Sequence, residues 1–418
     1  MKNSTVHFIV MIIASLFFFD SCASEITTKS FLKADGKVLR TDSGTGKVVY
    51  LHGVNAGGYL VQEFWMTPTA STDNVKAQKD IITVLENRFG KTKARELISA
   101  YEDSYWTEKD FDNVRALGAN CIRLPFWYRN LTEEDGTLYD NAFSRLDWFV
   151  SEAGKRGIYV ILDMHGAPGS QNGSDHSGVD GGSDKKTASE FFFGTNAEKN
   201  QQQYYTLWKQ IADHYKGNST VAGYDLLNEP FCTYRYNSGL SDYDLHMLLY
   251  KIYDKAYKTI REIDPDHVII MEATWNPSDL PDPDEYGWEN VMYEYHNYMY
   301  GDYDNAAGKQ ISNMQDKINA IAEADYNVPS YMGEFNYMNN TTAWSTGLDL
   351  LTNANINWTV WTYKTLMTDG NWGIYHHPMA TGKTNLETEL FSTIKDEWSK
   401  MDESEENTAL IKVLKSKM

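Results

Sequence analysis

Val221-Ala222-Gly223-Tyr224-Asp225-Leu226-Leu227-Asn228-Glu229-Pro230 reads as a buried strand that stops on polar residues. Its first seven residues form a short, mostly apolar run of strand length. Apolar residues recur at helical spacing on both sides of it, over 199–215 and over 242–263. The same unit repeats outward in both directions. Further strand-like runs occur at 48–54, 119–125, 159–164, 268–271, 291–295, 329–332 and 358–363. Helical spacing recurs at 107–117, 143–156, 309–324, 343–354 and 385–400. Eight strands alternating with helices predict an α/β chain folded as a single (β/α)8 barrel. Near-continuous apolar strands suit a parallel sheet covered on both faces. One crossover is degenerate, because Pro277, Pro281 and Pro283 leave little room for a helix within 272–290. Ahead of the first strand, 31–39 and 48–51 flank the turn-rich 41–46, which predicts an N-terminal hairpin capping the barrel floor. Residues 80–104 read as one added helix. No linker or composition shift interrupts the chain after about residue 30, so residues 31–400 form one domain and 401–418 a loose or peripheral helical tail.

Of 418 residues, 58 are acidic and 38 basic, a formal net charge of −20. That balance excludes nucleic acid as a partner, which needs a basic footprint on phosphates. The chain is 14% aromatic, with 12 Trp and 28 Tyr. Flat ring faces stack on sugars, but they also fill large cores, so composition alone leaves the ligand open. At the N-terminus Lys2 precedes an apolar run over 6–19. Fourteen helical residues cover about 21 Å, short of the roughly 30 Å hydrocarbon core. Residues 1–21 are therefore expected to be a cleaved export signal. Ser21-Cys22 resembles a bacterial lipoprotein cleavage box, with Cys22 as the lipidated first residue and 22–30 as a tether. Ordinary cleavage near Ser21 or Ala23 is the alternative. The expected location is the cell envelope as a lipoprotein, or the periplasm or medium, with membrane contact only through that anchor. A monomer is expected. Cys121 and Cys232 make neither a disulfide framework nor a zinc-binding spacing and are expected to be buried thiols.

In such a barrel the chemistry collects at the C-terminal ends of the strands. The residues there are Asn55, Arg123, His165, Asn228-Glu229, Trp275, His296 with Tyr298, Glu334 and Trp361. Glu229 and Glu334 end the fourth and seventh strands, on opposite sides of the mouth. Glycoside hydrolysis needs two carboxyl groups facing across a cleft, one protonating the leaving oxygen and one meeting the oxocarbenium carbon. On that reading Asn228 donates to the sugar 2-OH, and Arg123 and Tyr298 hold Glu334 ionised. Glu229 needs a raised pKa to be a proton donor near neutrality. Trp361 supplies a platform for the sugar ring, and Asn55, His165 and His296 complete the expected substrate contacts. No metal or cofactor is called for: His176, His376 and His377 lack ligand spacing, and no phosphate-binding loop or dinucleotide fingerprint occurs. His376-His377 reads as a loop feature.

These segments resemble glycoside hydrolase family 5 over roughly 30–400. The motifs are Ile122-Arg123-Leu124-Pro125-Phe126, Asp163-Met164-His165-Gly166, Asn228-Glu229-Pro230, His296-Asn297-Tyr298, Met332-Gly333-Glu334-Phe335 and Trp361. The resemblance implies a retaining barrel enzyme with Glu229 as acid/base and Glu334 as nucleophile. Two stretches, 53–68 and 163–173, are similar to the exo-β-1,3-glucanases of that family. In that group the position of Glu63 helps close the sugar pocket. Tyr59 stands where the group usually has Trp, Phe64 where it has Pro, and 293–300 departs from its sixth-strand motif.

The expectation is a retaining, exo-acting hydrolase of a β-glucan or β-glucoside. An endo-acting β-1,4-glucanase or mannanase of the same family is the alternative, since loop lengths do not separate groove from pocket. A non-catalytic glycan-binding surface lipoprotein is the reading from another class, and it has no use for both carboxylates. Phe191, Phe192 and Phe193 either wall a sugar subsite or anchor the long Gly-rich loop over 166–182.

Overall fold

The structure is a computed structural model, and it describes residues 30–299, 306–366, 372–378 and 382–418. The expected signal, Cys22 and nearly all of the tether lie outside the described residues. The chain opens with β1 (Lys33–Asp35), β2 (Val38–Arg40), β3 (Val48–Val49) and β4 (His52–Asn55). Helices α1 (Gln78–Phe89), α2 (Lys91–Tyr105) and α3 (Glu108–Leu117) precede β5 (Cys121–Trp127). Then come α4 (Ser144–Lys155), β6 (Tyr159–Gly166), α5 (Ala197–Tyr215), β7 (Val221–Asp225), α6 (Asp242–Arg261) and β8 (Val268–Glu272). The four-residue α7 (Pro283–Tyr286) leads to β9 (Val291–Asn297), α8 (Ala307–Ala324), β10 (Ser330–Phe335), α9 (Thr341–Asn353) and β11 (Asn357–Val360). The chain closes with β12 (Lys364–Leu366), β13 (Tyr375–His377), α10 (Phe391–Trp398), β14 (Glu405–Glu406) and α11 (Thr408–Lys415).

Strands β4 to β11 form a closed barrel of eight, each parallel to its neighbours, and β11 returns to β4. The predicted α/β barrel is the observed one, and the proline-rich crossover before β9 is the degenerate one. Side chains alternate between the two faces of each strand. At the lower end Leu51, Cys121, Tyr159, Ile161, Val268, Ile270, Met292 and Tyr331 pack inward, with Leu32 and Leu39 closing the floor. A larger apolar layer lies between strands and helices. The same alternation carries Arg123, Asp163, Glu272 and Glu294 inward one or two steps higher, where they meet the site.

Several expected boundaries differ. The run 48–54 is not one strand: β3 joins a small sheet with β1 and β2, and β4 begins the barrel. Between them Asn120 Nδ2 donates to the Tyr50 carbonyl, and Leu51 N donates to Asn357 Oδ1, replacing ladder bonds with side-chain bonds. The first arm of the expected hairpin itself turns back at Gly36, so the floor cap has three strands. The expected helix over 80–104 breaks at Gly90, whose φ of 81° falls in the region that favours glycine. Residues 385–390 are not helical, and Arg88 binds the Leu386 and Glu389 carbonyls there. His376 and His377 lie in β13, not a loop. The C-terminal segment is docked rather than loose: β14 pairs with β13, and Leu410 and Leu414 enter the main core. Phe191 and Phe192 are buried against Tyr204 and Phe231, which supports the anchoring role. Both thiols are free.

Candidate active site

The mouth of the barrel holds two adjoining cavities that share His176, Glu229 and Tyr298. The first, about 340 Å³, is lined by Glu63, Trp65, His165, Asn228, Glu334, Trp361 and Trp372 besides the shared Glu229, His176 and Tyr298. The second, about 660 Å³, opens toward Tyr236, Trp275, His296 and Lys317.

Glu334 is placed by a break in β10. The register between β9 and β10 shifts between Met332 and Glu334, and Glu334 lies opposite His296. Gly333 makes that shift feasible, because a Cβ there would overlap the Glu294 carboxylate. The Glu334 carboxylate then accepts from Arg123 Nη1 at 2.8 Å on one oxygen and from Tyr298 Oη at 2.8 Å on the other. His296 Nδ1 lies 3.6 Å from the second oxygen. Both bonds come from the residues that the sequence reading set beside Glu334, Arg123 and Tyr298.

Glu229 follows β7 with φ at 45°, a strained conformation for a side chain of this size. Its amide donates to Glu272 Oε2 at 2.6 Å, which pins the turn. Its carboxylate is divided between two histidines: Oε1 meets His296 Nδ1 at 2.9 Å, and Oε2 meets His176 Nε2 at 3.3 Å. Burial opposes its charge, but the hydrogen bond and charge of His296 outweigh burial and hold Glu229 well below the usual carboxylate range. Burial likewise opposes charge on His296, yet Glu272, Glu334 and Glu229 push its pKa well above the ordinary value. The expectation of a raised Glu229 therefore fails. One proton belongs to the pair and rests on the imidazole. His296 Nδ1 and one oxygen each of Glu229 and Glu334 all lie within 4.8 Å of one another.

Arg123 and Asn55 lie beneath the cavity rather than on its wall, each fully buried. This corrects their expected role as substrate contacts. Arg123 donates to Asp225 Oδ2 at 2.8 Å and Asn228 Oδ1 at 2.9 Å, and it lies within 3.2 Å of Asp163 and Glu294. Asn55 ties the Arg123 guanidinium to the Gly333 carbonyl, which fixes the bulge beneath Glu334. One guanidinium cannot balance this many buried carboxylates. Burial, with neighbouring Glu294, pushes Asp225 up to about 8, and burial raises Asp163 and Glu272 well above the carboxylate range.

The remaining expected residues line the site. Trp361 stacks on His165 with ring centroids 5.5 Å apart, and burial holds His165 neutral by lowering its pKa to about 3. His165 Nδ1 bonds Asp163 at 2.7 Å. The Glu63 carboxyl accepts from Trp65 Nε1 at 2.7 Å, and Trp65 packs on Trp372 at 5.1 Å. Burial, then the charge of Asp175, raises the Glu63 pKa well above its usual range. Gly58, at φ 77°, makes the turn that brings this loop to the mouth, as expected. Glu272, Glu294, Trp65 and Trp372 were not singled out from sequence, and His176 only as a histidine without metal-ligand spacing. A charged residue on the inward parity of an apolar strand was the available signal for the two acids. None exists for the loop residues.

The sequence pattern of Cellulase (glycosyl hydrolase family 5) matches residues 78–366. A beta-xylosidase of Phanerodontia chrysosporium is 30% identical over 280 residues, covering 64% of this chain and 52% of that protein. A probable glucan 1,3-beta-glucosidase A of Aspergillus clavatus is 29% identical over 273 residues, covering 63% of this chain and 59% of that protein. The matched part is thus little more than half the length of these relatives. Among solved structures, rutinosidase from Aspergillus niger aligns with a TM-score of 0.60 at 16% identity, over 84% of this chain and 98% of that one. Endo-glycoceramidase II from Rhodococcus sp. aligns with a TM-score of 0.56 at 17% identity, over 88% and 81%. At such identities the likeness is one of fold.

Proposed function

The chain belongs to glycosyl hydrolase family 5, and from that premise we propose that it cleaves β-glucosidic bonds at the non-reducing ends of a β-glucan or β-glucoside, with retention, by double displacement. The observation that carries this reading is the pair Glu229 and Glu334, whose facing oxygens lie within 4.8 Å across a cavity of about 340 Å³. Retaining glycosidases hold their carboxyl groups about 5–5.5 Å apart, with no water between them. Glu334, held by Arg123 and Tyr298, attacks the anomeric carbon. Glu229 passes the proton of the His296 pair to the leaving oxygen, then takes one from water in the second step. Trp361 and Asn228 line the donor sugar's side of the cavity, and the larger cavity beyond Glu229 takes the leaving group.

Exo action is supported by Glu63, Trp65 and Trp372, which line the donor cavity with Trp65 packed on Trp372 and bonded to the Glu63 carboxyl group. That buried carboxyl group suits the hydroxyls of a terminal sugar, whereas a continuing chain would meet the two indoles. β-1,3-Glucan is favoured by the likeness to the glucan 1,3-beta-glucosidase. The sequence of residues 6–22 supports export, with Cys22 lipidated. The test is the early product mixture from β-1,3-, β-1,4- and β-1,6-glucans, mannan and aryl β-glucosides and β-xylosides. Glucose of initial β configuration is expected, with Glu63→Ala weakening small glucosides most. Rapid viscosity loss with a ladder of oligosaccharides would establish endo action instead, and an α product would refute retention.

A further inference from the structure

At the edge of the larger cavity Glu229 meets two side chains, His176 and Cys232, that the proposed reaction does not use. His176 comes from the long loop after β6, and Glu229 and Cys232 from the turn after β7. His176 Nε2 lies 3.3 Å from Glu229 Oε2 and 3.8 Å from Cys232 Sγ. All three ligand atoms are within 4.8 Å of one another, and all three residues line the cavity. A tetrahedral zinc ion takes sulfur at about 2.3 Å, imidazole nitrogen at about 2.05 Å and carboxylate oxygen at about 2.0 Å, which sets N–O and N–S edges of roughly 3.3 and 3.6 Å. The two observed separations are close to those edges.

We propose that His176, Cys232 and Glu229 form a site for a thiophilic divalent cation, zinc above all, which occupies the catalytic mouth as an inhibitor rather than a cofactor. Three protein ligands of mixed N, S and O type leave the fourth position toward the cavity for water. Glu229 contributes only Oε2, so its bond from His296 to Oε1 survives. The ion replaces the hydrogen bond between Asn172 Nδ2 and His176 Nε2, and Asn172 keeps its bond to the Glu229 carbonyl. The Cys232 thiol loses its proton to solvent as the metal–sulfur bond forms, with no change of oxidation state. With its Oε2 coordinated, Glu229 no longer serves the leaving oxygen, and the ion obstructs the leaving-group cavity. No C-x-x-C or H-E-x-x-H spacing announces such a site, because two separate loops supply the ligands.

The binding claim is independent of the proposed activity; only the inhibition rests on it. The full chain, without an affinity tag that binds metals, is titrated with Co²⁺ and then displaced by Zn²⁺. One equivalent of Co²⁺ with a thiolate-to-metal charge-transfer band is expected, and Zn²⁺ should abolish it. Cys232→Ser should lose the band, and His176→Gln should weaken Zn²⁺ binding by at least roughly tenfold, the scale on which even outer contacts of metal sites act. In the glycosidase assay Zn²⁺ should inhibit reversibly, with EDTA restoring turnover and both variants resisting. Absence of the band, or wild-type Zn²⁺ affinity in folded Cys232→Ser and His176→Gln, would overturn the proposal. A band in a protein that hydrolyses no glycoside would uphold the site and refute the function.

Discussion

Tyr298→Phe removes one oxygen from the site. The Oη donates to Glu334 Oε2 at 2.8 Å, and the ring, which the variant keeps, packs on Trp372 with centroids 5.7 Å apart. Glu334 retains its bond from Arg123 on the other oxygen. On the proposed double displacement, Glu334 departs from the sugar carbon as a carboxylate in the second half, so the bond from Tyr298 would strengthen as that charge develops. A hydrogen bond to a charged group contributes about 1.5–3 kcal/mol. At about 1.36 kcal/mol per tenfold, its full loss slows deglycosylation by roughly 10- to 150-fold. Rapid-mixing measurements with a dinitrophenyl β-glucoside read this directly, because a good leaving group leaves deglycosylation as the slow step. Tyr298→Phe should release a burst of dinitrophenol close to one per enzyme, followed by the slowed steady state. Mass spectrometry of quenched samples should find the glucosyl group on Glu334. A kcat within threefold of the parent, with no burst, would refute the claim that Tyr298 stabilises the departing carboxylate.

Three further outcomes follow from the same geometry. His296 holds its proton below the ordinary histidine value of 6.5 and, with its pKa raised, keeps it as pH climbs further; kcat/KM should therefore fall only well above pH 6.5, and His296→Asn should move that limb down by about one unit or more, so an unmoved limb would remove His296 from the proton's path. Gly333→Ala forces the Glu294 carboxylate away from Arg123 and His296, and a buried ion pair broken on one side costs about 3–5 kcal/mol in chemical denaturation; a loss under 1 kcal/mol would show that the bulge tolerates a side chain. Leu414 is fully buried in α11, and Leu414→Ala should cost about 2–5 kcal/mol, whereas a loose tail would register no more than about 0.5 kcal/mol.

The eight strands were legible because each is a short apolar run between helical segments, and burial on both faces leaves few other ways to write such a strand. Their limits were not, because side chains of Asn120 and Asn357 take over ladder bonds at the start of β4. The two carboxylates were legible from their strand order alone. Depth was what the sequence withheld. Strand β5 runs on to Trp127, four residues past Arg123, or about 13 Å at 3.3 Å per residue. Arg123 and Asn55 consequently sit below the cavity, Arg123 bonded to Glu334 and Asn55 to the bulge beneath it, although residue type and strand number alone place them at the mouth. The protonation states were hidden for a related reason. Asp163, Asp225, Glu229, Glu272, Glu294 and Glu334 crowd around Arg123 and His296, and burial raises Asp163, Asp225 and Glu272. His296 stands 2.9 Å from Glu229 and holds it below the usual carboxylate range, whereas burial raises Glu272, 3.6 Å from the same ring, despite the opposing charge of His296. On the proposed mechanism a donor that must be protonated when the glycosidic bond breaks is held below its usual range beside a histidine whose pKa is raised, and arrival of the leaving oxygen would draw that proton across.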